Sequence, residues 1–151
     1  MATIKMAKRM AASPEVVFEM CTDLRRAPDR IPEILQLEVL TEGEIGVGTR
    51  FRETRVMFKK EATEEMWVTG FDPPNRYTVQ AESHGMRYAT EFTFAPEGGK
   101  TRVTWAFTGT PLSFGAKIMA PIFNVLMKGT MKKLMLGDLE ALRDVCERSQ
   151  G

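Results

Sequence analysis

The chain has 151 residues, of which 43% are hydrophobic and 27% are charged, and its formal net charge is only +1. A chain of this length buries a stable core without disulfides or metals, so we expect a single domain over residues 1–151. Basic and acidic residues are mixed along the chain. This argues against nucleic-acid binding, which requires positive charge concentrated on one face.

The two cysteines, Cys21 and Cys146, lack CxxC or metal-ligand spacing, and reduced thiols in a reducing compartment are the simplest interpretation. The single histidine does not form a recognisable metal-ligand set with the carboxylates, so neither a metal nor another cofactor is predicted. No apolar run follows Met1, and no stretch approaches the length of a transmembrane helix. These features predict a soluble, cytoplasmic protein.

The first forty residues predict one strand and two short helices. Residues 3–12 alternate imperfectly, as in a strand. A helix then begins with Ser13 as N-cap, Pro14 at the first helical position and Glu15 near the positive end of the dipole. A second helix is brief and ends before Pro32, because proline cannot continue it.

The middle of the chain predicts six more strands joined by short turns, which forces neighbouring strands to pair antiparallel. Apolar and polar residues alternate along most of them, so one face of the sheet packs and the other is solvated. The turns are marked by glycine, proline and asparagine, as in the Asp-Pro-Pro-Asn sequence at 72–75. The predicted strands are 34–41, 49–58, 60–71, 76–83, 86–94 and a last one containing 103–107.

Residues 113–147 are the one segment long and periodic enough for a dominant helix. Pro121 predicts a kink or restart near Ala120. The apolar stripe turns by about 150° between the halves on either side of Gly129, so one straight helix cannot bury both against the same sheet. We expect the second half to anchor on the sheet. The first half, rich in methionine and lysine, is expected to be a lid, a partner surface or a homodimer contact over residues 113–129.

The order of elements and three short motifs resemble the helix-grip fold of the START/SRPBCC superfamily, in its polyketide cyclase/dehydrase and lipid-transport branch. Residues 12–18 (ASPEVVF) resemble the entry to its first helix, residues 46–51 (GVGTRF) its G-x-G-T-R turn, and residues 71–77 (FDPPNRY) its D-P-P-x-R turn. The resemblance implies an α+β fold, in which a curved antiparallel sheet of about seven strands wraps around the C-terminal helix. It also implies a hydrophobic cavity between them, but no shared catalytic residues.

The leading hypothesis is a protein that binds, and in one version transports, a lipid, quinone or polycyclic molecule in that cavity. Glu53 and Arg55 alternate with apolar residues, so an inward pair would satisfy each other's charge and hold the ligand's polar end. Tyr88 and Thr90 are placed to orient a ligand by hydrogen bonds. The predicted ligand-binding residues are Phe51, Glu53, Arg55, Met66, Tyr88, Thr90, Phe92, Trp105, Phe107, Ile122 and Leu126.

The alternative hypothesis is an enzyme of the cyclase/dehydratase type, in which the same cavity folds a reactive chain. Glu53, Tyr88 and His84 are then the candidate acid–base residues. Two or more ionisable groups within hydrogen-bond reach inside the cavity would favour the enzyme, and a single polar anchor would favour binding. A dimer or protein-partner role for the methionine-rich helix is the third possibility.

Overall fold

The computed structural model describes residues 2–57 and 59–148, so Met1, residues 149–151 and the predicted strand end at Phe58 lie outside the described residues. Its helices are α1 (Pro14–Thr22), α2 (Ala27–Arg30) and α3 (Phe114–Arg148), with one turn of 3-10 helix (Leu24–Arg26) before α2. Its strands are β1 (Ala2–Met10), β2 (Ile34–Val39), β3 (Arg50–Met57), β4 (Lys60–Asp72), β5 (Arg76–Ser83), β6 (Met86–Glu97) and β7 (Lys100–Pro111).

The strands form one antiparallel sheet in the order β1-β7-β6-β5-β4-β3-β2. The first strand pairs with the last, and β2 starts the run at the opposite edge. The two short helices carry the chain from one edge of the sheet to the other. This arrangement confirms the predicted α+β class, with about seven strands, two short helices after the first strand and a long C-terminal helix.

Local chemistry sets most element boundaries. The Ser13 hydroxyl accepts a hydrogen bond from the Val16 amide at 3.3 Å, so α1 begins at Pro14 as predicted. Helix α2 ends at Arg30, ahead of Pro32. At the β5–β6 hairpin, His84 and Gly85 have φ values of 52° and 76°, the positive values that a tight two-residue turn of this kind requires.

A cluster of aromatic rings fills the core beneath α1. Phe18 of α1 meets Phe71 and Phe94 edge-to-face, with ring centroids 5.2 and 5.3 Å apart. Phe71 also contacts Tyr77 at 6.2 Å. Such edge-to-face contacts favour the packed state beyond the area that they bury. The cluster therefore holds α1 against the sheet at one end of the molecule.

Helix α3 is continuous from Phe114 to Arg148 with Pro121 inside it, so of the predicted kink or restart near Ala120 the restart is wrong, and the kink stays a prediction. Its two halves nevertheless differ as their apolar patterns indicate. The buried residues of the helix, which are Met135, Asp138, Leu139, Leu142 and Cys146, all follow Gly129. Backbone contacts of α3 are mainly with β1, and smaller contacts reach β7, α1 and α2. Within residues 2–57 and 59–148, no helix has the length and apolar content that crossing a membrane requires.

Replacing Leu139 with alanine should lower the free energy of unfolding by about 2–5 kcal/mol, because this side chain has no exposed surface and its removal leaves a cavity. Val125→Ala on the same helix is the matched control. That side chain is 81% exposed, and its loss should change stability by less than about 0.5 kcal/mol. Urea unfolding measures both values, and equal effects would show that the two halves of α3 are not packed differently.

Candidate functional site

A cavity of about 780 Å³ lies between the inner face of the sheet and α3. Side chains from all seven strands line it, together with residues of α1, α2 and α3. The lining is largely apolar, and its charged residues on the sheet are Glu53 and Arg55 of β3 and Glu64 of β4. The cavity thus has the size and character of a site for a small hydrophobic molecule.

Aromatic side chains form much of the wall on β5, β6 and β7. Phe92 lies 5.0 Å from Trp105 and 6.2 Å from Tyr77 between ring centroids. Tyr88 and Phe107 stack with their planes 16° apart, at 5.6 Å. These rings occupy neighbouring positions on the same face of adjacent strands, which follows from the predicted alternation.

The structure places the predicted sheet residues on the cavity wall. These are Phe51, Glu53, Arg55, Met66, Tyr88, Thr90, Phe92, Trp105 and Phe107. Period-two alternation located them because every second side chain of a strand shares one face. Their role in binding a ligand stays a prediction.

The two residues predicted from the helix, Ile122 and Leu126, are not part of the lining, and the prediction that they face the cavity is wrong. They are 53% and 72% exposed. Helix α3 turns a neighbouring stripe toward the cavity, which includes Met119, Phe123 and Met127 at intervals of four residues. The apolar residues of this half extend around much of the helix, so periodicity did not identify the inner face.

The main polar feature of the cavity is an ion pair between β3 and α3. One guanidinium nitrogen of Arg55 donates to both carboxylate oxygens of Asp138, at 2.9 and 2.7 Å. Arg55 is 9% exposed and Asp138 is 5% exposed. Burial raises the pKa of the Asp138 carboxyl, and Arg55 offsets part of that rise. The predicted partner of Arg55 was Glu53, but the hydrogen-bonded partner is Asp138, 83 residues away.

Glu53 faces inward beside this pair, as predicted, and has an unusual acidity. Burial raises its pKa to about 6; Arg55 lowers it, and the carboxylates of Asp138 and Glu64 raise it further. Glu64 is its cross-strand partner on β4 and also lines the cavity. A like charge directly opposite Glu53 disfavours the ionised form of its carboxyl. Glu53 therefore exchanges protons within the range of ordinary cellular pH.

Two buried donors in the described part of the chain have no hydrogen-bond partner, the Nε of Arg55 and the Nε1 of Trp105. Both residues line the cavity. A buried donor left unpaired costs about 1–3 kcal/mol. An acceptor oxygen on a bound molecule that reaches either nitrogen would recover that energy.

The other acid–base candidates lie apart from this group. His84 is exposed on the β5–β6 turn and contributes to the cavity wall from its edge. Burial and the nearby Glu64 raise the pKa of Tyr88, so its phenol stays protonated at neutral pH. Burial likewise raises the pKa of Cys21, and that of Cys146 to about 11, which removes both thiols as nucleophiles at neutral pH.

Among residues 2–57 and 59–148, no group of three or more His, Cys, Asp or Glu side chains is arranged to hold a metal ion.

Sequence reasoning missed Asp138 and Glu64, although both carry a signal. Asp138 is the one acidic residue within the apolar stripe formed by Met135, Leu139 and Leu142. A charge in such a stripe needs a buried partner. Glu64 alternates with Met66 on β4 and so shares its face.

Three comparisons relate the chain to known proteins. The model of the family described as polyketide cyclase/dehydrase and lipid transport matches residues 1–147. A search of the curated proteins finds no significant match. Among solved structures, a protein of Thermus thermophilus is 25% identical with a TM-score of 0.75, and the alignment covers 99% of this chain and 100% of that one.

Two further structures share the fold at lower identity. A START superfamily protein from Mycobacterium smegmatis is 15% identical with a TM-score of 0.80, covering 97% of each chain. The Zhui aromatase/cyclase from a Streptomyces species is 14% identical with a TM-score of 0.83, covering 99% of this chain and 96% of that one. The match over nearly the whole sequence, on a helix-grip fold with an apolar cavity, shows that this chain belongs to the polyketide cyclase/dehydrase and lipid transport family.

Proposed function

We propose that the protein binds a hydrophobic small molecule, such as a lipid, quinone or polycyclic compound, between the sheet and α3. The observation that carries this proposal is the largely apolar cavity of about 780 Å³ with the buried Arg55–Asp138 ion pair in its wall. Cavities that hold small ligands typically measure about 300–1,000 Å³ and combine apolar walls with a few polar groups that fix orientation. The description of the family supports the same class of ligand.

The charges of Arg55, Asp138 and Glu53 together favour a ligand that carries a neutral oxygen atom. Arg55 is already neutralised by Asp138, and Glu53 adds a negative charge once it ionises above a pH of about 6. A carboxylate ligand would be repelled under those conditions. A carbonyl or hydroxyl oxygen would instead accept a hydrogen bond from the unpaired Arg55 Nε or Trp105 Nε1.

A cyclase/dehydratase activity is the second candidate, favoured by Glu53. Its pKa of about 6 suits a group that takes up and returns a proton near neutral pH. Glu64 and Tyr88 share the same cavity wall. Arg55 and Asp138 are within hydrogen-bond reach of each other, but arginine does not lose its proton, so their contact orients and stabilises charge.

Filling the cavity tests the binding site. Thr90→Trp places a large side chain in the wall, so the neutral polycyclic probe N-phenyl-1-naphthylamine should bind at least about tenfold more weakly, as measured by its fluorescence. Thr63→Trp, on an exposed position of β4, is the matched control and should bind normally. Equal binding by both variants would place the probe elsewhere and overturn the proposed site.

Replacing the ion pair separates recognition from stability. Arg55→Met should lower the free energy of unfolding by about 3–5 kcal/mol, because it leaves Asp138 buried and unpaired, whereas the double variant with Asp138→Leu should be close to the native protein. The native protein should prefer 1,4-naphthoquinone over naphthalene by about tenfold, the value of one hydrogen bond. The folded double variant should lose that preference; its retention would show that the pair does not contact the ligand.

Glu53 should make stability depend on pH. Its folded pKa of about 6 lies above the ordinary value of 4.5, so the folded state holds the proton more firmly. Stability therefore falls as pH rises from about 4.5 through 6, by about 2 kcal/mol in total. Glu53→Gln should be more stable than the native protein by up to that amount at pH 8, and equal to it at pH 4.

Urea unfolding at the two pH values measures the effect, and Glu61→Gln, at an exposed position on β4, is the control that should show no such difference. A Glu53→Gln gain that is the same at pH 4 and pH 8 would contradict the raised pKa.

A further inference from the structure

The first half of α3 presents an apolar surface to solvent. We call it the exposed ridge, and it consists of Phe114, Ile118, Ile122, Val125 and Leu126. Phe114 and Val125 are 80% and 81% exposed, and the other three are each more than half exposed. Single exposed apolar residues are ordinary, but a contiguous group of large ones marks a surface that contacts something else.

The ridge follows one side of the helix. Ile118, Ile122, Val125 and Leu126 are spaced at intervals of four, three or one residues, which is the spacing of a single helical face. Two neighbouring residues, Met119 and Phe123, are 57% and 51% exposed and also line the cavity. The ridge therefore borders the place where the cavity reaches the surface of the molecule.

The charge around the ridge has one sign. No acidic residue occurs between Glu97 and Asp138 in the sequence, and Asp138 itself is buried against Arg55. Helix α3 carries four exposed lysines in this interval, which are Lys117, Lys128, Lys132 and Lys133. The first half of α3 and the turn that follows Gly129 are thus apolar and cationic together, although the whole chain is nearly neutral.

The lysines and the ridge share one surface. Lys132 and Lys133 follow Val125 and Leu126 by seven residues, which is two helical turns along the same face. Leu126, Leu136 and both lysines line a shallow groove of about 510 Å³ between α3 and β1. Apolar and ammonium groups thus lie side by side, the arrangement by which interfacial helices contact acyl chains and headgroups at once.

We propose that the exposed ridge and its lysines dock the protein on the surface of an anionic lipid bilayer. The apolar side chains would enter the boundary between headgroups and acyl chains, and the lysines would contact acidic headgroups. Charge favours this occupant over a second copy of the chain, because pairing two such ridges would bring eight lysines together with no exposed carboxylate on either segment. The inference rests on the outer surface of α3 and does not depend on the ligand proposed above.

Co-sedimentation with vesicles tests the proposal. The native protein should bind vesicles of phosphatidylcholine with phosphatidylserine, and should bind phosphatidylcholine alone much more weakly, with the difference shrinking as salt is added. Lys132→Gln with Lys133→Gln should weaken the partition coefficient by about 25-fold, on the basis of about fivefold for each lysine. Ile122→Ser with Leu126→Ser, at two ridge positions that do not line the cavity, should weaken it by at least about tenfold.

Matched controls use residues of the same types elsewhere. Leu35→Ser, at a 49% exposed position on β2, controls for losing an apolar side chain, and Lys5→Gln with Lys100→Gln controls for losing two exposed lysines. Both controls should bind vesicles as the native protein does. Because every altered position is exposed, all variants should keep the native melting temperature and bind N-phenyl-1-naphthylamine normally, which separates this test from that of the cavity.

Three results would overturn the proposal. The first is equal binding to neutral and anionic vesicles, which would remove the role of the lysines. The second is equal loss in the ridge variants and their controls, which would make the binding non-specific. The third is no vesicle binding at all; if sedimentation velocity then shows a dimer that Ile122→Ser with Leu126→Ser abolishes, a second copy covers the ridge.

Discussion

The ion pair between Arg55 and Asp138 is the contact on which the cavity depends, because it joins α3 to a strand with which the helix has little other contact. The helix packs on β1 at one edge of the sheet, whereas β3 lies near the other edge. Between these two attachments the inner face of the sheet is left partly uncovered. A purely apolar contact at Arg55 would hold the helix equally well, so the retention of charge there points to a role in recognition.

The two halves of helix α3 lie in different environments. After Gly129, buried side chains such as Leu139 anchor it in the core. Before Gly129, Met119 and Phe123 border the cavity while Ile122 and Leu126 face solvent. A protein that takes a hydrophobic molecule from a bilayer would need its cavity mouth and its docking surface close together. Here the residues at the cavity edge and the exposed ridge lie on the same half of α3.

The charged residues in the cavity wall bear on both candidate functions, ligand binding and proton transfer. Arg55 and Asp138 neutralise each other, so the proton that changes near neutral pH belongs to Glu53, which has no hydrogen-bonded partner among the described residues and faces Glu64. When ionised, the same carboxyl would repel an anionic ligand, and when protonated it can donate a hydrogen bond. A binding protein and a cyclase would therefore share this geometry, and would differ in whether the bound molecule reacts.

The sequence by itself determined the strands, the turns and the Ser13 cap, because these follow from local alternation and backbone chemistry. It also put Glu53 and Arg55 on the same face of β3 as Phe51, since a strand has only two faces, and the structure shows that this face lines the cavity. Tertiary structure decided that Arg55 pairs with Asp138, a residue 83 positions away, and that Ile122 and Leu126 point outward. A helix that is apolar over much of its circumference can face the sheet in several rotations. Which rotation is adopted depends on contacts between residues that are distant in sequence, such as that of Arg55 with Asp138.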